Sequence, residues 1–100
     1  MFQIKWTPEA EQRYLEILEF WIAHNQSTSY SLKIIEEVEQ TEVLLAVNPL
    51  IGVKIAGTKN TIRRIIILKD YSIFYRIKEN VVEIVSFWAN KMNPEDLKIK

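Results

Sequence analysis

Six cations crowd the middle of this 100-residue chain. Lys54, Lys59, Arg63, Arg64, Lys69 and Arg76 face a single nearby anion in sequence, Asp70. A guanidinium binds phosphate or carboxylate through two parallel hydrogen bonds, and an ammonium does so as a point charge. Arg63 and Arg64 are adjacent, so on a strand they point to opposite faces. One of them must lie on, or snorkel from, the side that helices cover. Pairing with a helix glutamate is the expectation for that inward arginine, because isolated charges are not left buried. The outward one, together with Arg76, fits either a solvated face or an anion site.

Other chemistries are short of residues. Cysteine is absent, which excludes disulfides, thiolate metal sites and a thiol nucleophile. The single histidine, His24, falls at a helix end and reads as a C-terminal cap or surface residue. There is no second histidine for a metal site, and the N-terminal glutamates read as solvated helix faces. With Gly52 and Gly57 as the only glycines, no Gly-rich phosphate loop is present. No metal and no cofactor are therefore expected. Trp6 and Trp21 fit core positions, whereas Trp88 closes a strand as core rim or binding anchor.

These residues must be positioned by a small scaffold. The length fits one domain spanning residues 1–100. A composition 48% apolar and 26% charged is that of a folded domain with a modest core. The formal net charge is zero, which argues against a strongly basic nucleic-acid binder. That zero hides a split. Residues 1–50 carry three basic side chains against eight glutamates, net −5; residues 51–100 carry ten against five, net +5. Halves of opposite sign matter to partners even when the sum is neutral. No apolar run approaches a membrane span, and the N-terminus lacks the build of a signal peptide, so a cytoplasmic chain with no membrane partner is expected.

Phe2, Ile4 and Trp6 alternate with Gln3 and Lys5, which predicts a short strand. Thr7 and Pro8 then open a helix as cap and first residue. Its inward stripe is Ala10, Tyr14, Ile17, Leu18 and Trp21. The polar run 24–29 ends it and caps a second helix over residues 30–46, with Ile34, Ile35, Val38 and Leu45 inward. Asn48-Pro49 stops that helix. Beyond it the period changes to two. Residues 53–55 form a possible extended stretch, 57–60 a turn, and 62–68, 71–77 and 81–88 three strands rich in β-branched and aromatic residues. Residues 93–97 could form one helical turn. The order is β-αα-βββ, an α+β fold with both helices on one face of an antiparallel meander.

Alternation puts Tyr71, Ile73, Tyr75 and Ile77 on the helix face, and Ser72, Phe74 and Arg76 on the other. The last strand is apolar on both faces, with Val82, Ile84 and Trp88 on one and Val81, Val85 and Phe87 on the other. Two helices cover only one face. A partner, a second copy or the C-terminal tail must cover the second, and a partner or homodimer surface is the favoured reading. Its residues are expected to be Ser72, Phe74, Arg76, Val82, Ile84 and Trp88.

The chain resembles the RelE/ParE toxin superfamily of type II toxin–antitoxin systems. The resemblance rests on Trp6-Thr7-Pro8-Glu9-Ala10, Asn48-Pro49, Ile62-Arg63-Arg64-Ile65, Tyr71-Ser72-Ile73-Phe74-Tyr75-Arg76-Ile77 and the stretch from Val85 through Asn93-Pro94. It implies a growth-inhibiting toxin silenced by a cognate antitoxin whose C-terminal segment wraps it. An acidic antitoxin segment would suit the basic half. RelE-like members cleave mRNA on the ribosome, and ParE-like members, including plasmid-stabilisation toxins, inhibit DNA gyrase. In a nuclease, Arg63, Arg64, Arg76 and Lys91 would supply charge and proton transfer. Nuclease-active members often carry Arg after the aromatic that opens the central strand, where this chain has Ser72, and its tail offers Phe87, Trp88 and Lys91 without His or Tyr. The resemblance therefore implies the ParE-like branch, with RNA cleavage or a decayed interaction module as alternatives.

Overall fold

The computed structural model describes residues 1–58 and 61–91. The expected helical turn at 93–97 and the cation Lys59 lie outside those residues. Strand β1 (Gln3–Trp6) leads into α1 (Pro8–Asn25) and α2 (Ser29–Val47). A 3-10 turn (Pro49–Ile51) follows, then β2 (Val53–Lys54), β3 (Arg63–Ile67), β4 (Tyr71–Lys78) and β5 (Val81–Ala89). The five strands form one sheet in the order β1-β5-β4-β3-β2. Consecutive hairpins make β2 to β5 antiparallel, and β1 returns beside β5 in parallel.

The chemistry at each helix start explains the boundaries. Thr7 is extended, and its hydroxyl accepts the Ala10 amide at 3.2 Å. Pro8 has no amide to leave unpaired at the first position. α1 ends at Gln26 in the left-handed region, φ 52°. The polar run caps α2 through Ser27 and not through Thr28, the residue at the cap position. Thr28 has helical backbone angles and no capping side-chain bond; instead the Ser27 hydroxyl accepts the Ser29 amide at 3.2 Å. Asn48 closes α2 by donating its amide to the Leu44 carbonyl, and its side chain accepts the Leu50 amide at 3.2 Å to start the 3-10 turn.

Both helices pack on one face of the sheet. Ala10 and Leu18 from α1 and Ile34, Val38 and Leu45 from α2 meet Ile67, Tyr71, Ile73, Tyr75, Val82, Ile84 and Phe87. Tyr14 stacks on Trp6 with ring centroids 5.0 Å apart and tilts against Phe87 at the same distance. Trp6 donates its indole N–H to Glu42 at 3.1 Å, and Trp21 donates to the Tyr71 hydroxyl, so each partly buried ring finds a polar partner.

The face assignment of β5 needs a correction. A bulge shifts the register between Phe74 and Tyr75: Phe74 lies opposite Ser86, but Tyr75 lies opposite Ile84. Val85 is the extra residue, and an extra residue reverses the alternation beyond it. Val82 and Ile84 therefore share the helix face with Phe87 and are fully buried there, and Trp88 alone of the expected trio lies with Phe74. The second face is also less open than expected. Ile62, Phe74 and Trp88 form a small core of their own, with Ile55 and Val85 packed against it. Ile55 and Ile62 come from the connection between β2 and β3, held by the Ile55 amide donating to the Ile62 carbonyl at 2.8 Å.

Candidate functional site

Arg63 and Arg64 do take opposite faces. Arg63 stands opposite Tyr75 and Arg64 opposite Phe74 in the β3–β4 register. The inward arginine is not paired to a helix glutamate. Arg63 donates from one terminal nitrogen to the Gly52 carbonyl at 2.9 Å and the Leu50 carbonyl at 3.3 Å. A helix's last carbonyls have no partner of their own, and so does a 3-10 turn's end; a guanidinium satisfies them while its charge stays near the surface.

Tyr75 completes that clamp from below. Its hydroxyl donates to the Pro49 carbonyl at 2.7 Å and accepts the Gly52 amide at 2.8 Å. Burial pushes the Tyr75 phenol above its ordinary pKa, while the Gly52 amide and the Arg63 charge pull the other way. One tyrosine and one arginine thus hold the segment between α2 and β2.

Arg64 belongs to a polar cluster on the second face. Its Nε donates to the Ser72 hydroxyl at 2.8 Å and its Nη2 to the Asn90 side-chain oxygen at 3.2 Å. The Ser72 hydroxyl donates to the same Asn90 oxygen at 2.6 Å, and the Asn90 amide nitrogen donates to the Lys69 carbonyl at 2.7 Å. The guanidinium carbon lies 5.8 Å from the Phe74 ring centroid, within reach of a cation–π contact. Ser72 is fully buried, so it positions Arg64 rather than touching a partner. The hairpin beneath is strained: Leu68 and Lys69 adopt φ 51° and 68°.

Arg76 is neutralised locally. It stands opposite Glu83 and meets its carboxylate at 2.5 Å, both side chains about 30% exposed. Lys91 is exposed just beyond β5, adjacent in sequence to Asn90. The four expected catalytic cations are therefore not one cluster. Arg64 and Lys91 fall at one end of the sheet, Arg76 lies along the same face in an ion pair, and Arg63 is on the opposite face. Among the expected partner residues, Phe74 and Trp88 are buried in the second core, and Val82 and Ile84 in the first. Among the described residues, no three His, Asp or Glu side chains group as metal ligands. No helix among them is long and apolar enough to cross a membrane.

Two features escaped the residue-by-residue reading. Asn90 links three elements, yet no spacing rule singles out an asparagine beyond a strand end. The exposed apolar stretch at the end of α2 was legible: residues 43–47 read Val-Leu-Leu-Ala-Val, and five apolar neighbours on a helix cannot all face one side.

Comparison with known proteins gives the scaffold its place. A solved structure described as the chromosomal ParDE TA system from P. aeruginosa superposes with a TM-score of 0.71 at 20% sequence identity, covering 89% of this chain and 96% of that one. No curated protein matches the sequence. Residues 4–94 match the family described as the ParE toxin of type II toxin–antitoxin system, parDE. The chain belongs to this family of ParE toxins and is the toxin component of a type II toxin–antitoxin system.

Proposed function

We propose that the chain arrests growth in the cytoplasm by binding DNA gyrase, not by cutting RNA, and that its cognate antitoxin silences it by covering its surface. The observation that carries this reading is the disposition of the arginines. Arg76 is paired with Glu83, Arg63 with two main-chain carbonyls, and Arg64 with Ser72 and Asn90. The Nε and Nη2 atoms of Arg64 form the side-on edge of its fork, so side-on capture of a phosphate would break both internal bonds. RNA cleavage needs a base at the 2′-hydroxyl, an acid at the leaving oxygen and free cations at the phosphorane. Arg63, Arg64 and Arg76 are instead held in bonds within the fold.

A second reading, ribosome-dependent mRNA cleavage, draws on the placement of Arg64 and Lys91 at one end of the sheet. Induction of the chain alone separates the two. The proposal expects growth arrest with DNA breakage and transcripts that remain full length by primer extension. Cut transcripts without DNA damage would support the nuclease, and unimpaired growth would support a decayed module.

A further inference from the structure

The charges of this chain are sorted by face. On the sheet face that the helices leave free, Lys5, Arg64, Arg76 and Lys78 stand against one carboxylate, Glu83. At its rim, Lys69 and Lys91 offset Asp70 and Glu79. The two helices carry eight glutamates against Arg13 and Lys33, and Lys54 lies with Arg63 on their side of the sheet. The −5 and +5 halves of the sequence thus become an acidic side and a basic side of one molecule. Such a charge distribution turns its basic side toward a polyanion.

Lys5 and Lys78 are the free cations of this face. Lys5 stands opposite Glu83 in the β1–β5 register, but Arg76 holds that carboxylate from β4. Arg64 is held by Ser72 and Asn90. Lys5 and Lys78 are exposed, form no ion pair among the described residues, and flank a shallow hollow with Val81, Glu79 and Glu83.

The rest of the face decides which polyanion fits. The cores of protein–protein interfaces are apolar or aromatic and poor in lysine, whereas protein–DNA interfaces are polar and positive. The two aromatic rings of this face, Phe74 and Trp88, are only 6% and 7% exposed, with Ile55 and Ile62 packed on them. They are out of reach as anchors for a protein and as platforms for unpaired bases. Its exposed apolar residues, Val53 and Ile66, lie on β2 and β3, away from the lysines on β1 and β4. What Lys5 and Lys78 offer is two ammonium groups, which neutralise phosphates without reading bases.

We infer that this face holds the sugar–phosphate backbone of the duplex DNA that gyrase carries, through Lys5 and Lys78, with the acidic helices turned away from it. The inference rests on the gyrase-binding reading above. Two phosphate contacts are weak by themselves. Docking on gyrase raises the effective concentration of the duplex at this face, so they add to affinity there. A chain of zero net charge thereby contacts DNA without being a DNA-binding protein in its own right.

The test measures binding of the purified full chain to purified DNA gyrase by biolayer interferometry, with and without a linear duplex of mixed sequence. The duplex should raise the affinity about tenfold at about 50 mM salt, and the gain should be gone by about 200 mM, as two phosphate contacts require. Lys5→Gln/Lys78→Gln should abolish the gain and lower the salt slope of the duplex-bound affinity by about two. Its melting temperature and its affinity for DNA-free gyrase should match wild type. Lys5→Gln and Lys78→Gln alone should each lower the slope by about one, so the result does not hang on one variant. Lys33→Gln/Lys54→Gln removes the same charge from the helical side and should keep the gain. Equal wild-type affinity with and without duplex overturns the inference and leaves the proposed function standing. So does an equal loss in both double variants, which would assign the effect to net charge. So does a loss in Lys5→Gln/Lys78→Gln that is the same on DNA-free gyrase, which would assign the face to an acidic surface of the enzyme. No binding of the wild-type chain to gyrase in either form overturns the gyrase reading itself, and this inference with it.

Discussion

Gly52 lies so close under Tyr75 that a Cβ at position 52 would stand 2.4 Å from the phenol oxygen. The absence of a side chain lets the Gly52 amide reach that oxygen at 2.8 Å. Gly52→Ala should therefore push the ring out of a fully buried site, costing ~1–3 kcal/mol as overpacking does. Tyr75→Phe should cost a similar ~1–3 kcal/mol, because it strands the Gly52 amide and the Pro49 carbonyl. At ~4–8 °C per kcal/mol for a domain of this size, both losses are visible in a thermal melt.

Asn90 accepts from both Arg64 and Ser72. Asn90→Ala should leave a buried hydroxyl donor and a guanidinium without that acceptor, lowering stability by ~1–2 kcal/mol. The urea midpoint should fall with an unchanged slope. Growth inhibition should persist in this variant at a temperature where it stays folded, since the cluster is architectural in the gyrase-binding account.

Lys69 sits at φ 68° in the β3–β4 hairpin, where only glycine is unstrained. Lys69→Gly should relieve ~1 kcal/mol of that strain, less the backbone freedom it adds to the unfolded chain. The expected result is a melting temperature at or above wild type. A fall of several degrees would show that the Lys69 side chain contributes contacts that outweigh the strain.

Tyr14 links pH to the fold. Burial first, then the nearby Glu42 and Glu39 charges, push its phenol from 10.0 up to about 12. The folded state holds the Tyr14 proton more tightly than the unfolded state does. That contribution is complete below pH 10 and is lost as pH rises toward 12. Urea unfolding followed between pH 9 and pH 12 should show stability falling through that window, and Tyr14→Phe should flatten the fall. Tyr71, Tyr75 and Tyr30 are raised as well, so some slope should remain.

The sequence pattern carried the helices and the succession of strands along the chain, because each rests on a local period; the parallel return of β1 beside β5 does not, and it was not read. The inward stripes of Ala10, Leu18, Ile34, Val38 and Leu45 pack as the 3.6-residue spacing implies. What it could not carry was parity across a bulge. Val85 interrupts the two-residue alternation, and apolar residues on both sides of it hide the interruption, so Val82 and Ile84 were read onto the wrong face. The arginines show the same limit. Adjacent positions fixed that Arg63 and Arg64 diverge, but their acceptors are main-chain carbonyls, Ser72 and Asn90, which lie 8 to 26 residues away and follow from tertiary packing alone.

The most direct test of the central claim is the supercoiling of relaxed plasmid by purified DNA gyrase in the presence of this chain. The gyrase-binding account predicts dose-dependent loss of supercoiling, restored when the antitoxin is added in equal amount. Full supercoiling at a large molar excess of folded chain would contradict it.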